Sequence, residues 1–227
     1  RRRDQLVIET KGPNDFVSRA DKEAEAIVRG AISVAFPADR FLGEETGYSG
    51  PDDARCLWVV DPLDGTTNFL KGAHNWCVSI GVMVDGEPTI GVVYDPLRDE
   101  MFEARLGHGA RMNDQPLAVS QVTRMKDAVC ALGYTPRLPL PPFITKTTHL
   151  LETGVAFRQL GAGALMLAYV AAGRIDLYWE FHMWPWDVMG GIVLIREAGG
   201  QVAPFPDHDG DLAEGGRLVA GPPQLYP

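Results

Sequence analysis

Cysteine is scarce in this chain. Cys56, Cys77 and Cys130 are the only three, they stand far apart, and no C-x-x-C pair occurs. That excludes a zinc knuckle or a disulfide framework and reads as reduced core thiols. Long apolar runs are also missing. The longest, residues 164–172, falls well short of the roughly 20 residues that cross a bilayer. Positive charge is in deficit, with 21 Lys and Arg against 30 Asp and Glu and a formal net charge of −9. Such a chain has no bulk attraction for nucleic acid. Arg1, Arg2 and Arg3 are followed at once by Asp4 and Gln5, with no apolar run behind them, so they read as a trimmed end and not a secretion signal. The expectation is a cytoplasmic protein with no membrane and no nucleic-acid partner.

What is present is ordinary for a globular chain: 227 residues, 45% hydrophobic and 22% charged. Apolar residues Ala24, Ile27, Val28, Ala31 and Ala35 follow the helical period and predict a helix over 21–36, stopped by Pro37. Ser18 and Asp21 have capping-box spacing. Residues 41–54, rich in Gly, Asp and Glu, read as a loop. Strands are expected at 57–60, 76–84, 89–94 and 101–104, with Asp85-Gly86 a hairpin turn and Asn113-Asp114 another. Four prolines in 135–142 mark the one soft boundary. Beyond it, helices are expected at 161–172 and 187–198 and strands at 175–179, 202–203 and 218–220. The chain divides into an N-terminal α+β part with an antiparallel sheet, 1–132, and a C-terminal α/β part, 133–227, the two forming one structural unit of layered helices and sheets.

Three acidic segments stand out: Gly43-Glu44-Glu45-Thr46, Asp61-Pro62-Leu63-Asp64-Gly65-Thr66-Thr67, and Trp186-Asp187. Asp61 ends a strand where Pro62 removes a backbone donor, and Asp64 follows in the turn. Two carboxylates so placed converge on one point, and neither of the first two segments contains Lys or Arg. Clustered carboxylates need neutralising. An oxygen-only donor set favours Mg²⁺, Mn²⁺ or Ca²⁺, and Gly65-Thr66-Thr67 offers backbone N–H groups and hydroxyls suited to a phosphate. Together they suggest phosphoryl transfer to water. Each segment also has a plain reading: an Asx turn for D-x-x-D-G, an exposed acidic loop for Glu44-Glu45, a helix N-cap for Asp187.

Taken together and in this order, GEET at 43–46, DPLDGTTNF at 61–69 and WDVMGGIVLIREAGG at 186–200 resemble the signatures of the inositol monophosphatase family of Mg²⁺-dependent, lithium-sensitive phosphatases. Fainter similarity runs through KGPNDFVSRAD at 11–21 and RQLGAGALMLAYVAAGRIDLYWE at 158–180. The resemblance implies an αβαβα sandwich of the sugar-phosphatase type and a homodimer. It implies Glu44, Asp61 and the Leu63 carbonyl as ligands of one metal and Asp61, Asp64 and Asp187 as ligands of a second, with Glu44 supporting a third. Two to three Mg²⁺ per site are expected, with Mn²⁺ a substitute. Gly65 and Thr66 would meet the phosphate, while Gly161, Ala162, Gly163, Glu180 and Asp187 would contact the substrate. Thr66 and Asp21 would pair to orient the attacking water, making them, with Glu44, the catalytic set.

Two departures bear on the substrate. Ala162 replaces the family's usual Ser or Thr and Gly163 its usual Ala, changes expected to widen the pocket or remove a hydroxyl contact. Thr67-Asn68, in place of the Lys-Glu typical of nucleotide bisphosphate phosphatases, argues for a sugar-alcohol monophosphate. The activity so implied is hydrolysis of inositol monophosphate or a similar small polyol phosphate by a metal-activated water. Glu180 is expected to accept from two vicinal hydroxyls. Alternatives are a histidinol-phosphate or fructose-1,6-bisphosphate phosphatase and, in another class, a regulatory protein-binding member of the family, since some bacterial relatives bind the transcription machinery.

Overall fold

A computed structural model describes residues 8–12 and 15–225. The chain runs β1 (Ile8–Gly12), β2 (Asp15–Ser18), α1 (Arg19–Ala35), β3 (Arg40–Gly43), β4 (Gly47–Ser49), β5 (Cys56–Asp64), α2 (Thr66–Lys71), β6 (Cys77–Val84), β7 (Glu87–Asp95), β8 (Glu100–Arg105), β9 (Ala110–Met112) and β10 (Gln115–Pro116). It continues with β11 (Val129–Leu132), α3 (Leu140–Glu152), β12 (Ala156–Arg158), α4 (Gly163–Ala171), β13 (Leu177–Met183), α5 (Pro185–Glu197), β14 (Gln201–Val202) and β15 (Gly216–Gly221).

An eight-stranded sheet has the order β10-β9-β8-β7-β6-β5-β3-β4, and a five-stranded sheet the order β12-β11-β13-β15-β14. Helices α4 and α5 lie between them, which explains their composition. Every residue of α4 from Ala164 to Ala171 is buried, so this helix is apolar all round, as a helix covered on both sides must be. Leu165, Leu167, Ile192 and Leu194 join Phe102, Val93 and Leu218 in the central core. Leu150 of α3 packs with Cys130, Leu177 and Val219 on the far face of the small sheet, and α1 lies against β5 of the large one. The layers are therefore α, β, α, β, α.

The β6–β7 hairpin forms where Asp85-Gly86 marks it. Asp85 and Gly86 have φ of 52° and 84°, as a two-residue turn matched to strand twist requires. Several sequence readings need correction. The expected loop 41–54 contains most of the β3–β4 hairpin. The proline-rich boundary contains the start of α3, because Pro141 and Pro142 fall in its first turn, where the missing N–H costs nothing. Strand β5 passes through Pro62 to Asp64. A register shift between Asp61 and Asp64, which pair with Ser79 and Cys77, absorbs the proline as a bulge. Helix α5 starts at Pro185, so Asp187 is the third helical residue and not the N-cap.

Helix α1 departs most from its pattern. Ile27 is 72% exposed and Val34 85%, while Asp21 and Glu25 are each 1% exposed. The inward face of this helix is its acidic one, because those carboxylates have partners across the layer.

The close approach of α5 to the large sheet depends on missing side chains at Gly81 and Gly91, where a Cβ would strike Met189 and Gly190 of α5. Gly91→Ala is expected to destabilise the fold by about 1–3 kcal/mol, the usual cost of overpacking. The denaturation midpoint in urea should fall accordingly; an unchanged midpoint would show that α5 has room to move.

Candidate active site

The site lies where the two sheets present their ends to α4 and α5. Strands β3 and β5 are parallel, with Gly43 beside Val60, so Glu44, just past the end of β3, stands beside Asp61 within β5. The Glu44 N–H donates to the Val60 carbonyl at 3.3 Å. The bulge at Pro62 then carries Asp64 round to the same side. Asp187 arrives from the first turn of α5, where its Oδ2 accepts the Trp184 N–H at 3.2 Å. Carboxylate oxygens of Asp61, Asp64 and Asp187 all lie within 4.8 Å of one another.

This grouping is electrostatically unfavourable. Burial pushes the Asp61 carboxyl well above its usual range, and Glu44, Asp64 and Asp187 push it further. Asp187 is raised well above its usual range by burial and then by Asp64 and Glu44. Burial also raises Asp64, against the pull of N–H groups from α4. Three carboxyls that resist ionisation so close together fit a divalent cation, whose charge reverses the local preference. Their donor set is all oxygen, which suits Mg²⁺, Mn²⁺ or Ca²⁺.

Asp64 also has a structural role. Its Oδ1 accepts the Gly163 N–H at 2.9 Å and its Oδ2 the Leu165 N–H at 3.2 Å. The residue preceding α4, Ala162, gives no side-chain cap, so a carboxylate from the other half of the chain caps the helix. The Cys77 thiol donates to Oδ2 at 3.4 Å.

Thr66 Oγ1 lies 2.9 Å from Asp21 Oδ1 and 3.2 Å from the Leu63 carbonyl oxygen. Its single proton goes to one of the two, and donation to Asp21 leaves the carbonyl free for another partner. Gly65 has φ of 89°, and a Cβ there would press on Asn75 and Ala162, so only glycine suits this turn. The two Asn68 Nδ2 protons serve the carbonyls of Asn75 and Leu160 at 2.6 and 2.8 Å, with that of Gly161 in range at 3.2 Å, tying the turn after β5 to residues 160–161.

Gly161, Ala162, Gly163, Glu180 and Asp187 line one cavity of about 180 Å³, together with Gly133, Tyr134, Gln159, Met166, Tyr178 and Met183. Ala162 is 1% exposed, and the Met183 methyl fills the space a Cβ on Gly163 would take. A larger concavity of about 390 Å³ on the outer face of the large sheet, lined by Ile90, Val92 and Arg105 among others, gathers no carboxylate cluster.

Glu25, Asn68, Gly133 and Tyr178 were missed as site supports. Glu25 accepts the Glu45 N–H at 2.8 Å and the Thr46 hydroxyl at 2.6 Å, and so holds the turn that carries Glu44. Its signal was a charged residue four positions after Asp21, on the same helical face.

The fold is a layered α+β sandwich with a buried carboxylate cluster at the ends of its sheets. A model of the inositol monophosphatase family matches residues 1–227. An inositol-1-monophosphatase of Mesorhizobium japonicum is 42% identical over 220 residues, 95% of this chain and 82% of that protein. A protein named Nus factor SuhB, of Pasteurella multocida, is 39% identical over 227 residues, 99% of this chain and 84% of its own. The crystal structure of extragenic suppressor protein suhB from Bartonella henselae matches with a TM-score of 0.91 at 39% identity, covering 99% of this chain and 86% of that one. The chain belongs to the inositol monophosphatase family. The Nus factor name of such relatives conflicts with the expectation of no nucleic-acid partner, and that part of the expectation is withdrawn. No helix among the described residues is long and apolar enough to cross a membrane.

Glu180 makes the site's burial measurable. Burial lifts its carboxyl from 4.5 to about 7, with Tyr178 opposing, Asp64 adding and Arg137 opposing. An acid with a raised folded-state pKa contributes stability that is complete below pH 4.5 and lost as pH rises through 7. The loss amounts to about 3 kcal/mol. Unfolding of the EDTA-treated protein in urea should therefore show Glu180→Gln gaining on the wild type between pH 4.5 and 8. Parallel pH profiles for the two proteins would contradict the buried-carboxylate account.

Proposed function

We propose that this protein is a Mg²⁺-dependent phosphomonoesterase that hydrolyses inositol monophosphate or a closely similar polyol phosphate. The convergence of the Asp61, Asp64 and Asp187 carboxylates on one point carries this reading, and membership of the family supports it. Glu44, Asp61 and the Leu63 carbonyl would hold one cation, and Asp61, Asp64 and Asp187 a second. Bound there, the cations supply charge to the phosphate and acidity to a water molecule. The chain's own residues do the rest. The backbone of Gly65 and Thr66 meets the phosphate. Thr66 accepts a hydrogen bond from the attacking water while passing its own proton toward Asp21, the direction its 2.9 Å contact already favours. The water oxygen forms a bond to phosphorus as the bond to the alcohol oxygen breaks, and the leaving alkoxide takes its proton from solvent water. Glu180 and residues 161–163 orient the alcohol.

The reading is tested by phosphate release with Mg²⁺ from inositol 1-phosphate, histidinol phosphate, fructose 1,6-bisphosphate and adenosine bisphosphate. Inositol 1-phosphate should be turned over fastest, EDTA should abolish turnover, and Li⁺ should inhibit it. Asp64→Asn should lower turnover by more than about tenfold, roughly 1.4 kcal/mol of barrier. A flat panel would favour the second reading, a protein-binding role, which the Nus factor name of a 39% identical relative supports.

Thr66→Val and Asp21→Asn should each reduce kcat by about 10²–10⁴-fold, the range for losing a positioned base. As the two act as a unit, the double variant should be little worse than either one. Fully multiplicative losses would leave Asp21 as a buried structural carboxylate only.

A further inference from the structure

Glu180 is 8% exposed on β13, and two neighbours confine its carboxylate. Tyr178, two residues earlier on the same face of the strand, is fully buried and donates its phenol proton to Oε2. Gly133 follows β11 so closely that a Cβ there would overlap that oxygen. Its own position is fixed by an N–H bond to the Trp179 carbonyl at 3.0 Å. Met183 Sδ lies 3.5 Å from the phenol oxygen, which closes the other side of the tyrosine. Oε1 receives no bond from the described residues, is not sealed from solvent, and belongs to a group lining the cavity. The charged groups around this carboxylate are Asp64 from β5, Asp187 from α5 and Arg137 from the segment after β11.

A carboxylate held in this way offers the cavity one oxygen at a fixed angle. We propose that Tyr178 is a positioning residue that makes Glu180 a reader of a single substrate hydroxyl. It replaces the expectation that Glu180 accepts from a vicinal pair, and it rests on the phosphomonoesterase reading. Without the phenol, Glu180 rotates within the space left by the lost bond and takes a proton more readily, and both changes weaken acceptance from the substrate hydroxyl. A substrate without hydroxyls near the phosphate is insensitive to this loss. Because Tyr178 acts through Glu180, its removal has little further effect once Glu180 is already an amide.

The test is a set of four proteins, wild type, Tyr178→Phe, Glu180→Gln and the double variant, each assayed with Mg²⁺ on inositol 1-phosphate and on an aryl phosphate. Thermal melts check that each is folded. Tyr178→Phe should raise KM for inositol 1-phosphate about tenfold, roughly one charged hydrogen bond. The loss should sit in KM more than in kcat and be several times larger than on the aryl ester. In the Glu180→Gln background the same change should raise KM less than about twofold. Equal losses on both substrates, losses confined to kcat, or full additivity in the double variant would overturn the positioning role while leaving the hydrolase reading in place. A wild type inert on both esters would overturn the hydrolase reading, and this proposal with it.

Discussion

The carboxylate of Asp64 joins the two halves of this molecule. It leaves the bulged end of β5 and accepts N–H groups from Gly163 and Leu165 at the start of α4. The same side chain stands in the acidic cluster with Asp61 and Asp187. A helix packed between two sheets needs its N-terminal donors satisfied, and α4 has no cap of its own. The partner is drawn from the metal-type site. Placement of the substrate-facing residues 161–163 is therefore coupled to the carboxylate that would hold a cation.

Other supports follow the same logic of polar groups reaching across layers. Glu25 and Asp21 turn the acidic face of α1 inward, where Glu25 bonds the turn after β3 and Asp21 bonds Thr66. Asn68 bonds the carbonyls of Asn75 and Leu160 and fixes the phosphate turn against residues 160–161. Each of these groups is buried or half-buried and satisfied, the condition under which polar side chains specify geometry instead of costing stability. The cluster of Asp61, Asp64 and Asp187 is the exception, since its members raise one another's proton affinity. That imbalance is what a divalent cation would relieve.

Much of this could be read in the chain itself. The β6–β7 hairpin was legible because Asp85-Gly86 demands positive φ. Helices α4 and α5 were legible from their small and apolar residues. The acidic segments stood out only together and in order, since each alone has a plain reading. The register of the β5 bulge was not legible, because Pro62 reads as a strand end until β6 is seen to continue past it. The inward face of α1 was not legible from its apolar period, because the partners of Asp21 and Glu25 lie 45 and 20–21 residues away in sequence. The close approach of Gly133 to Glu180 depends on the pairing of β11 with β13, a contact between strands remote in sequence.

The central claim is that the acidic cluster is built to hold divalent cations. Anomalous diffraction from crystals soaked in Mn²⁺ would test it most directly, since it locates the ion without relying on turnover. The account predicts anomalous peaks in contact with carboxylate oxygens of Asp61, Asp64 and Asp187, lost when Asp64 is replaced by Asn. A well-ordered cluster with no peak at saturating Mn²⁺, or a peak only at surface carboxylates elsewhere, would contradict it.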